Sequence, residues 1–427
     1  MSNSPRRTLL SGPPATTNSL GVVTASRWMV FLCWFTVVFE GYDIVALGAA
    51  IPTLTAHAGM DVAALNVVVT LSLVGVGVGA AAMGPISDRF GRRWPLIIAA
   101  LSFSIFTLLL PLFPNPAAMG VLRLVAGLGL GGCMPVALAM MQEAAPPERR
   151  SRANGLVMTG YHVGAVAASL VALWVGQAWE LLFFVGGGLG VILSVIMFFQ
   201  LPETAFHKVA AAEVVAAAGA KPGVLDTLRP RYLRATIGLW VANFMGLVLI
   251  YGLNSWLPKV MTAAGYPVAN SLVMLFIFNV GAIAGIVISG RLADAKGIKG
   301  VALAWFAAAT VLLLVLAIRM DNEFLLNAVI FVSGVFVFST SVLLYAMAGY
   351  IYEKRLVGTG IGLTSGIGRF GAIIGPYIFG LMIAAGSGYP GVFFVCAGAA
   401  VIGLLVVLQI PVRREGEHPA DAERPSS

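Results

Sequence analysis

The sequence predicts an all-α polytopic membrane protein, with twelve transmembrane helices in two six-helix bundles. Three observations lead there. The chain of 427 residues is 59% hydrophobic and only 10% charged, whereas a soluble domain carries roughly 25% charged residues. Such a surface stays dispersed only under lipid, and the mean hydropathy of +0.94 agrees. Twelve apolar runs approach or exceed the ~20 residues that a helix needs to cross the hydrocarbon core. A polar, Ala-rich and basic stretch then divides six runs from six.

In chain order, residues 1–27 read as a polar tail rich in Pro, Ser and Thr. No cleavable signal peptide is expected, because the first apolar run starts too late and continues too long. Spans at 28–51, 64–83, 95–112, 117–141, 153–175 and 180–200 make an N-terminal bundle over 28–201. Residues 202–232 form a central loop. Spans at 233–257, 268–289, 300–318, 324–350, 357–385 and 389–411 make a C-terminal bundle over 233–411, and 412–427 is a polar tail. Many of the fifty glycines and several of the twenty-two prolines fall within apolar runs, where membrane helices tolerate them. Gly75/Gly79 and Gly127/Gly131 have the small-xxx-small spacing that permits close helix contact. Six glycines between Gly360 and Gly375 make span 11 smooth or bendable.

Orientation follows from the cations. Of the 26 Lys and Arg, 22 fall in the two tails, the central loop and the even-numbered loops. Only Lys259 and Arg319 fall in loops on the other side, so both termini and the central loop are expected in the cytoplasm of a cell (plasma or inner) membrane. The net charge of +8 is then a topology signal, and no nucleic-acid partner is implied. The three cysteines, Cys33, Cys133 and Cys396, lie in apolar runs without metal-ligand spacing. Gly127-x-Gly129 lies inside an apolar span and follows no strand, so it is no nucleotide fingerprint. With no P-loop, zinc spacing or nucleophile elbow, neither cofactor, metal nor enzymatic activity is expected.

The two halves repeat. GPISDRFGRR (Gly84 to Arg93) follows span 2, and GRLADAKGIK (Gly290 to Lys299) follows span 8, with Asp88 and Asp294 206 residues apart. Arg150 and Gly155 match Arg355 and Gly360 at an offset of 205. A duplicated six-helix unit in parallel orientation places the site between the repeats, near the bilayer midplane. The loop at 84–93 resembles the signature loop of the major facilitator superfamily. The resemblance implies a conformational latch made by Gly84, Asp88, Arg89, Gly91, Arg92, Arg93 and Asp294. Glu143, Glu148, Arg149 and Arg150, at the cytoplasmic end of span 4, would join it as a gate network.

Span 1 reads FEGYDIVALGAAIPTL, similar to the first span of the aromatic acid:proton symporter family, which carries D-G-[FY]-D. Glu40 here stands for the first acid and Asp43 is the second. RLVAGLGLGGCMP in span 4, YGLNSWLPKVM in span 7 and GRFGAIIGP in span 11 are also similar to that family. LPET after span 6 is shared with sugar porters. GLVMTGYHVGAVAAS in span 5 lacks the Gly-Pro of proton-coupled drug exporters. The resemblance implies import of a small aromatic carboxylate, of benzoate or hydroxybenzoate type, with protons and by alternating access, in a monomer embedded in the lipid bilayer. Other organic anions, sugars, exported drugs, a non-transporting sensor and a channel are the competing readings.

A charge near the bilayer centre is costly and marks function. Glu40 and Asp43 are three apart and share a helix face. They are the expected proton-coupling pair, against the alternative of a static ion pair with an arginine from another helix. Arg369 lies near mid-depth in span 11, and its planar fork suits a carboxylate, either the substrate's or that of Glu40 or Asp43. Arg123 either lines the site or snorkels to the outer interface. Tyr42, Tyr251, Asn254 and Trp256, with Asn243, offer aromatic faces and amides for a hydroxylated ring; for Trp256 an interface belt is the alternative. Span 10 adds Tyr345 and Tyr350 to this cavity set, with packing as their alternative. His162 is read as a hydrogen-bonded structural histidine, with a proton relay as its alternative.

Overall fold

The computed structural model describes residues 27–56, 58–144, 150–203, 224–352 and 354–411. Among them, twelve helices are long and apolar enough to cross a membrane. The N-terminal bundle comprises α1 (Arg27–Ala56), α2 (Val62–Phe90), α3 (Arg93–Leu109), α4 (Pro116–Ala144), α5 (Arg150–Val175) and α6 (Trp179–Gln200). The C-terminal bundle comprises α7 (Pro230–Ala263), α8 (Val268–Lys296), α9 (Ile298–Leu316), α10 (Glu323–Ile351), α11 (Lys354–Ala384) and α12 (Gly391–Gln409).

Several helices outrun the apolar stretches that betray them. α7 begins at Pro230 and continues through Arg231 and Arg234. Apolarity marks the hydrocarbon slab, whereas backbone hydrogen bonding carries the helix on into the headgroups. Ends are set by local chemistry. The Asp61 carboxylate accepts the Ala64 N–H ahead of α2, and the Asn322 side chain accepts the Leu325 N–H ahead of α10. Both are N-cap bonds that satisfy otherwise orphaned donors.

The duplication read from the sequence recurs in three dimensions. α2 and α8 are both 29 residues long, as are α4 and α10. In the first half α1 packs on α5, α2 on α4, and α3 on α4 and α6. In the second half α7 packs on α11, α8 on α10, and α9 on α10 and α12. The glycine rows explain the closest of these contacts. A Cβ on Gly75 or Gly79 would overlap the carbonyl oxygens of Leu124 and Leu128, and one on Gly127 or Gly131 those of Ser72 and Val76. Gly281 and Gly285, each 206 residues beyond its first-half counterpart, meet the carbonyls of Phe331 and Val335 in the same way. Backbone-to-backbone approach of this kind supplies dispersion contact where no hydrophobic force separates helix from lipid.

The halves meet along α1–α7, α2–α11 and α5–α8. Four contacts close this seam at the end remote from the basic loops. Lys259 Nζ donates to Thr55 Oγ1 at 2.7 Å. Asn66 Nδ2 donates to the Tyr377 carbonyl at 3.1 Å. Gly48 rests on the backbone of Asn254 and Ser255, and Gly380 on the side chains of Asn66 and Trp256.

Candidate functional site

Among the described residues, two charged centres lie inside the protein, both approached from α1. Residues three apart on a helix differ by roughly 60° in azimuth and one turn in height. Glu40 and Asp43 therefore share a broad face but meet different partners. Asp43 Oδ2 forms an ion pair with Arg123 Nη1 of α4 at 2.7 Å. Thr107 of α3 donates to Asp43 Oδ1 at 2.6 Å, and Arg123 Nη2 also reaches the Asp43 carbonyl at 3.4 Å. The ion pair is almost sealed, with side-chain exposures of 1% for Arg123 and 3% for Asp43. This first centre belongs wholly to the N-terminal bundle.

Glu40 makes the second centre. It is fully buried, and neither carboxylate oxygen has a hydrogen-bond partner. Arg369 of α11 and the Met134 backbone of α4 are among its polar neighbours. Arg369 donates to the Tyr251 hydroxyl at 3.0 Å, and Tyr345 and Tyr161 also lie within its field. Tyr161 of α5 faces Tyr251 of α7 across the seam, ring centroids 6.5 Å apart. His162 stands edge-on to Phe338 of α10 at 5.2 Å, and its buried Nδ1 lacks the hydrogen bond expected of it, because its surroundings are aromatic rings. Glu40, Arg369, Tyr161 and His162 all fall near the middle of their helices, so this centre lies between the bundles at mid-depth. Chemically it offers a fixed cation, a carboxyl that can carry a proton, and aromatic faces.

Of the site residues expected from the sequence, the structure brings Glu40, Arg369 and Tyr251 together, and of the two acids left open as partners of Arg369 it is Glu40 that lies near it. It separates several others. Arg123 does not snorkel: it is buried, and Asp43 holds it inward. Tyr42 turns the other way from Glu40, because it is two residues further round α1. Its hydroxyl donates to the Leu182 carbonyl of α6 at 2.8 Å, and its ring rests on Gly186. Trp256 belongs to neither an interface belt nor the mid-depth centre; it is fully buried at the closed end, against Gly380. Asn254 accepts from Asn279 Nδ2 at 3.1 Å and backs onto Gly48, so it serves the seam.

Thr107 and Tyr161 carry no mark in the sequence as site residues, whereas Tyr345, a cavity candidate, lies within the field of Arg369. A lone threonine or tyrosine within an apolar helix carries no positional signal until a fold sets it beside charges.

The signature loop can be followed in part. The side chains of Gly84, Asp88, Arg89, Glu143, Arg150 and Asp294 lie outside those described. Gly91 ends α2 at φ +87° and Gly297 ends α8 at φ +85°, a left-handed conformation that favours glycine, 206 residues apart. Against Gly91 lies the Glu203 carboxylate. It accepts the backbone N–H groups of Arg92 at 2.8 Å and Arg93 at 3.3 Å, capping the start of α3. Arg92 donates to Ser87 Oγ at 2.6 Å, and Arg93 to the Phe198 carbonyl at 2.6 Å. The glutamate of LPET thus fastens α6 to the loop, a role its motif did not disclose.

Comparison with known proteins agrees with this architecture. The profile described as "Major Facilitator Superfamily" matches residues 33–301 and 274–426. The chain is 28% identical to a gallate transporter of Pseudomonas putida, over 90% of this chain and 92% of the relative. It is 31% identical to the 3-(3-hydroxy-phenyl)propionate transporter of Escherichia coli, over 93% and 98%. A crystal structure of a D-xylose-proton symporter superposes with a TM-score of 0.71 at 18% identity, covering 90% of this chain and 97% of that one.

Proposed function

The chain belongs to the major facilitator superfamily, and from that premise we propose that it imports a small aromatic carboxylate together with protons, by alternating access of one mid-depth site. It is a transporter and not an enzyme. The relatives named for gallate and for 3-(3-hydroxy-phenyl)propionate support the substrate class. The carrying observation is the meeting of Arg369, Tyr251 and the unpartnered Glu40 carboxyl between the bundles.

Arg369 presents a planar fork in a setting of low dielectric, and Tyr251 fixes one arm of it. A substrate carboxylate takes the fork in two-point contact, and its ring lies among Tyr161, Tyr251 and Tyr345. Glu40 faces the same guanidinium. Two carboxylates cannot both be satisfied by one cation in a closed site, so arrival of the substrate anion favours a protonated Glu40. Asp43 supplies a second proton position. Its protonation removes the negative partner of Arg123 and loosens α4 from α1 within the N-terminal bundle.

The closed α1–α7 and α2–α11 seam then corresponds to the state sealed from the outside. The basic loops face the cytoplasm on the positive-inside asymmetry. The membrane is the cytoplasmic one, with both termini inside, and the carrier works as a monomer because one chain supplies the whole site.

One proton with one monoanion moves no net charge. A second proton adds about 2.3 kcal/mol per 100 mV of membrane potential to the driving force.

Counterflow of labelled 4-hydroxybenzoate in proteoliposomes tests this reading. Wild type should exchange and should accumulate substrate under an inwardly directed proton gradient. Arg369→Gln and Arg369→Lys should each lower exchange at least ~10-fold, the second because an ammonium cannot replace a bidentate fork. Undiminished exchange by Arg369→Gln, or accumulation indifferent to the proton gradient, would refute it.

A further inference from the structure

Besides Tyr161 Oη and His162 Nδ1 on α5, two polar atoms of the C-terminal bundle near the Arg369 centre lie buried without a partner. They are Asn243 Oδ1 on α7 and Ser341 Oγ on α10. Asn243 is 0% exposed and Ser341 5%. The Asn243 amide nitrogen is already committed. It donates to the Thr364 carbonyl at 2.9 Å and to the Tyr345 hydroxyl at 3.4 Å. Those bonds fix the amide orientation, so Oδ1 is left as a pure acceptor in need of a donor.

Their positions adjoin the proposed anion site. The Asn243 amide lies against Gly368, the residue before Arg369. Tyr345, which contacts that amide, is also within the field of Arg369. Ser341 is one turn from Tyr345 on α10 and faces Gly246, where a Cβ would stand 3.2 Å from Ser341 Oγ. Gly246 is one turn from Asn243 on α7. Acceptor, hydroxyl and cation therefore occupy adjoining turns of α7, α10 and α11.

A buried amide oxygen without a donor is unfavourable, and native proteins keep few of them. An apolar substituent would leave both atoms unpaired. A second carboxylate would confront the negative end of the amide dipole. An ammonium would sit beside the Arg369 guanidinium. A neutral hydroxyl suits both atoms: it donates to Asn243 Oδ1 and exchanges a hydrogen bond with Ser341 Oγ.

We propose that Asn243 and Ser341 form a subsite that reads a ring hydroxyl, making this carrier selective for hydroxylated aromatic acids over unsubstituted ones. The proposal rests on the reading that Arg369 holds the carboxylate. Geometry sharpens it further. Tyr251 and Asn243 are eight residues apart on α7, ~12 Å at 1.5 Å per residue. The hydroxyl is thus read far from the carboxylate, at the meta or para position. An ortho hydroxyl stays beside Arg369 and gains nothing from the subsite.

The test is competition by benzoate and by 2-, 3- and 4-hydroxybenzoate on the full-length protein in proteoliposomes. The 3- or the 4-isomer should bind at least ~10-fold more tightly than benzoate and the 2-isomer, since a site built to hydrogen-bond a hydroxyl rejects the analogue lacking it. Asn243→Leu and Ser341→Ala should each shrink that ratio, Asn243→Leu to within about 2-fold, because the discriminating partner is gone. Equal affinity of wild type for all four acids overturns the subsite and leaves the carboxylate reading standing. Variants that weaken all four acids in proportion overturn it too. Silence of wild type toward every one of them overturns the carboxylate reading and this inference together. If Asn243→Leu does not fold, Ser341→Ala decides, since it removes a single oxygen.

Discussion

Replacing Asp43 with Asn puts the first charged centre to a quantitative test. Thr107 can still donate to the remaining side-chain oxygen, so the geometry of α1 and α3 is retained. What changes is the charge balance. Arg123 stays cationic, with 1% of its side chain exposed and no anion at 2.7 Å. Removing one partner of a buried pair costs about 3–5 kcal/mol, whereas replacing both by apolar groups of similar volume is often neutral or stabilising. The single variant should therefore melt on the order of 5–10 °C lower, and Asp43→Asn/Arg123→Met should recover most of that loss. A thermal-unfolding series on wild type, both single variants and the double variant gives the coupling directly. Transport adds an independent reading. Asp43→Asn should keep exchange down a gradient but lose proton-driven accumulation. A single variant as stable as wild type would show that the ion pair contributes nothing to the fold. Full accumulation of substrate by Asp43→Asn would remove this aspartate from coupling.

Two further outcomes follow from packing and capping. Gly75→Val should abolish the α2–α4 contact, because its Cβ would meet the Leu124 carbonyl and backbone cannot yield as a side chain can; folded yield after detergent extraction should collapse. Gly362→Ala in α11 is the matched control: its Cβ meets nothing within 4 Å, and its yield should equal wild type. Glu203→Ala removes the acceptor for the Arg92 and Arg93 N–H groups. It should cost ~1 kcal/mol, the usual loss for a helix N-cap, read as a small fall in melting temperature with substrate affinity preserved.

The fold was legible because lipid imposes a coarse rule on sequence: long apolar runs, basic loops on one side, and glycine wherever helices touch. The 206-residue spacing of Asp88 and Asp294 already contained the offset that relates Gly75 to Gly281 and Gly91 to Gly297. Chemistry inside the membrane was legible in part for the same reason, since Glu40, Asp43, Arg123 and Arg369 stand out against apolar surroundings. Which of them face one another was not. Helical azimuth separates Glu40 from Asp43 by a modest angle, yet that angle sends one to Arg369 and the other to Arg123. Tyr42, adjacent to both in sequence, points instead at Leu182 of α6. Hydroxyl and amide residues such as Thr107, Asn243 and Ser341 are ordinary in membrane helices; Thr107 is distinguished only by its bond to Asp43, and Asn243 and Ser341 only by their buried, unpaired atoms.

The symmetry also explains why the two halves carry different chemistry. At the shared offset of 206, Glu40 corresponds to Gly246 and Asp43 to Leu249. The α4–α10 offset of 207 pairs Arg123 with Ile330 and Met134 with Ser341. In the first half, therefore, an acidic side chain stands next to the Met134 backbone. At the equivalent place in the second half there is no side chain on α7, and a serine oxygen lacks a partner. The close contacts of Gly164 with Val38 and of Gly371 with Phe244 set the α5–α11 offset at 207, which places His162 opposite Arg369. One repeat thus keeps titratable groups where the other keeps a permanent cation and neutral hydrogen-bonding groups. The proposed coupling of protons to an organic anion would use this division. Protons are recognised by groups that change charge, and an organic anion by groups that do not. If the same α1 acids had been retained in α7, they would stand beside Arg369 and compete with the substrate for its guanidinium. On the proposed mechanism, the absence of these acids from the second repeat is what leaves that cation available to a carboxylate from outside the chain.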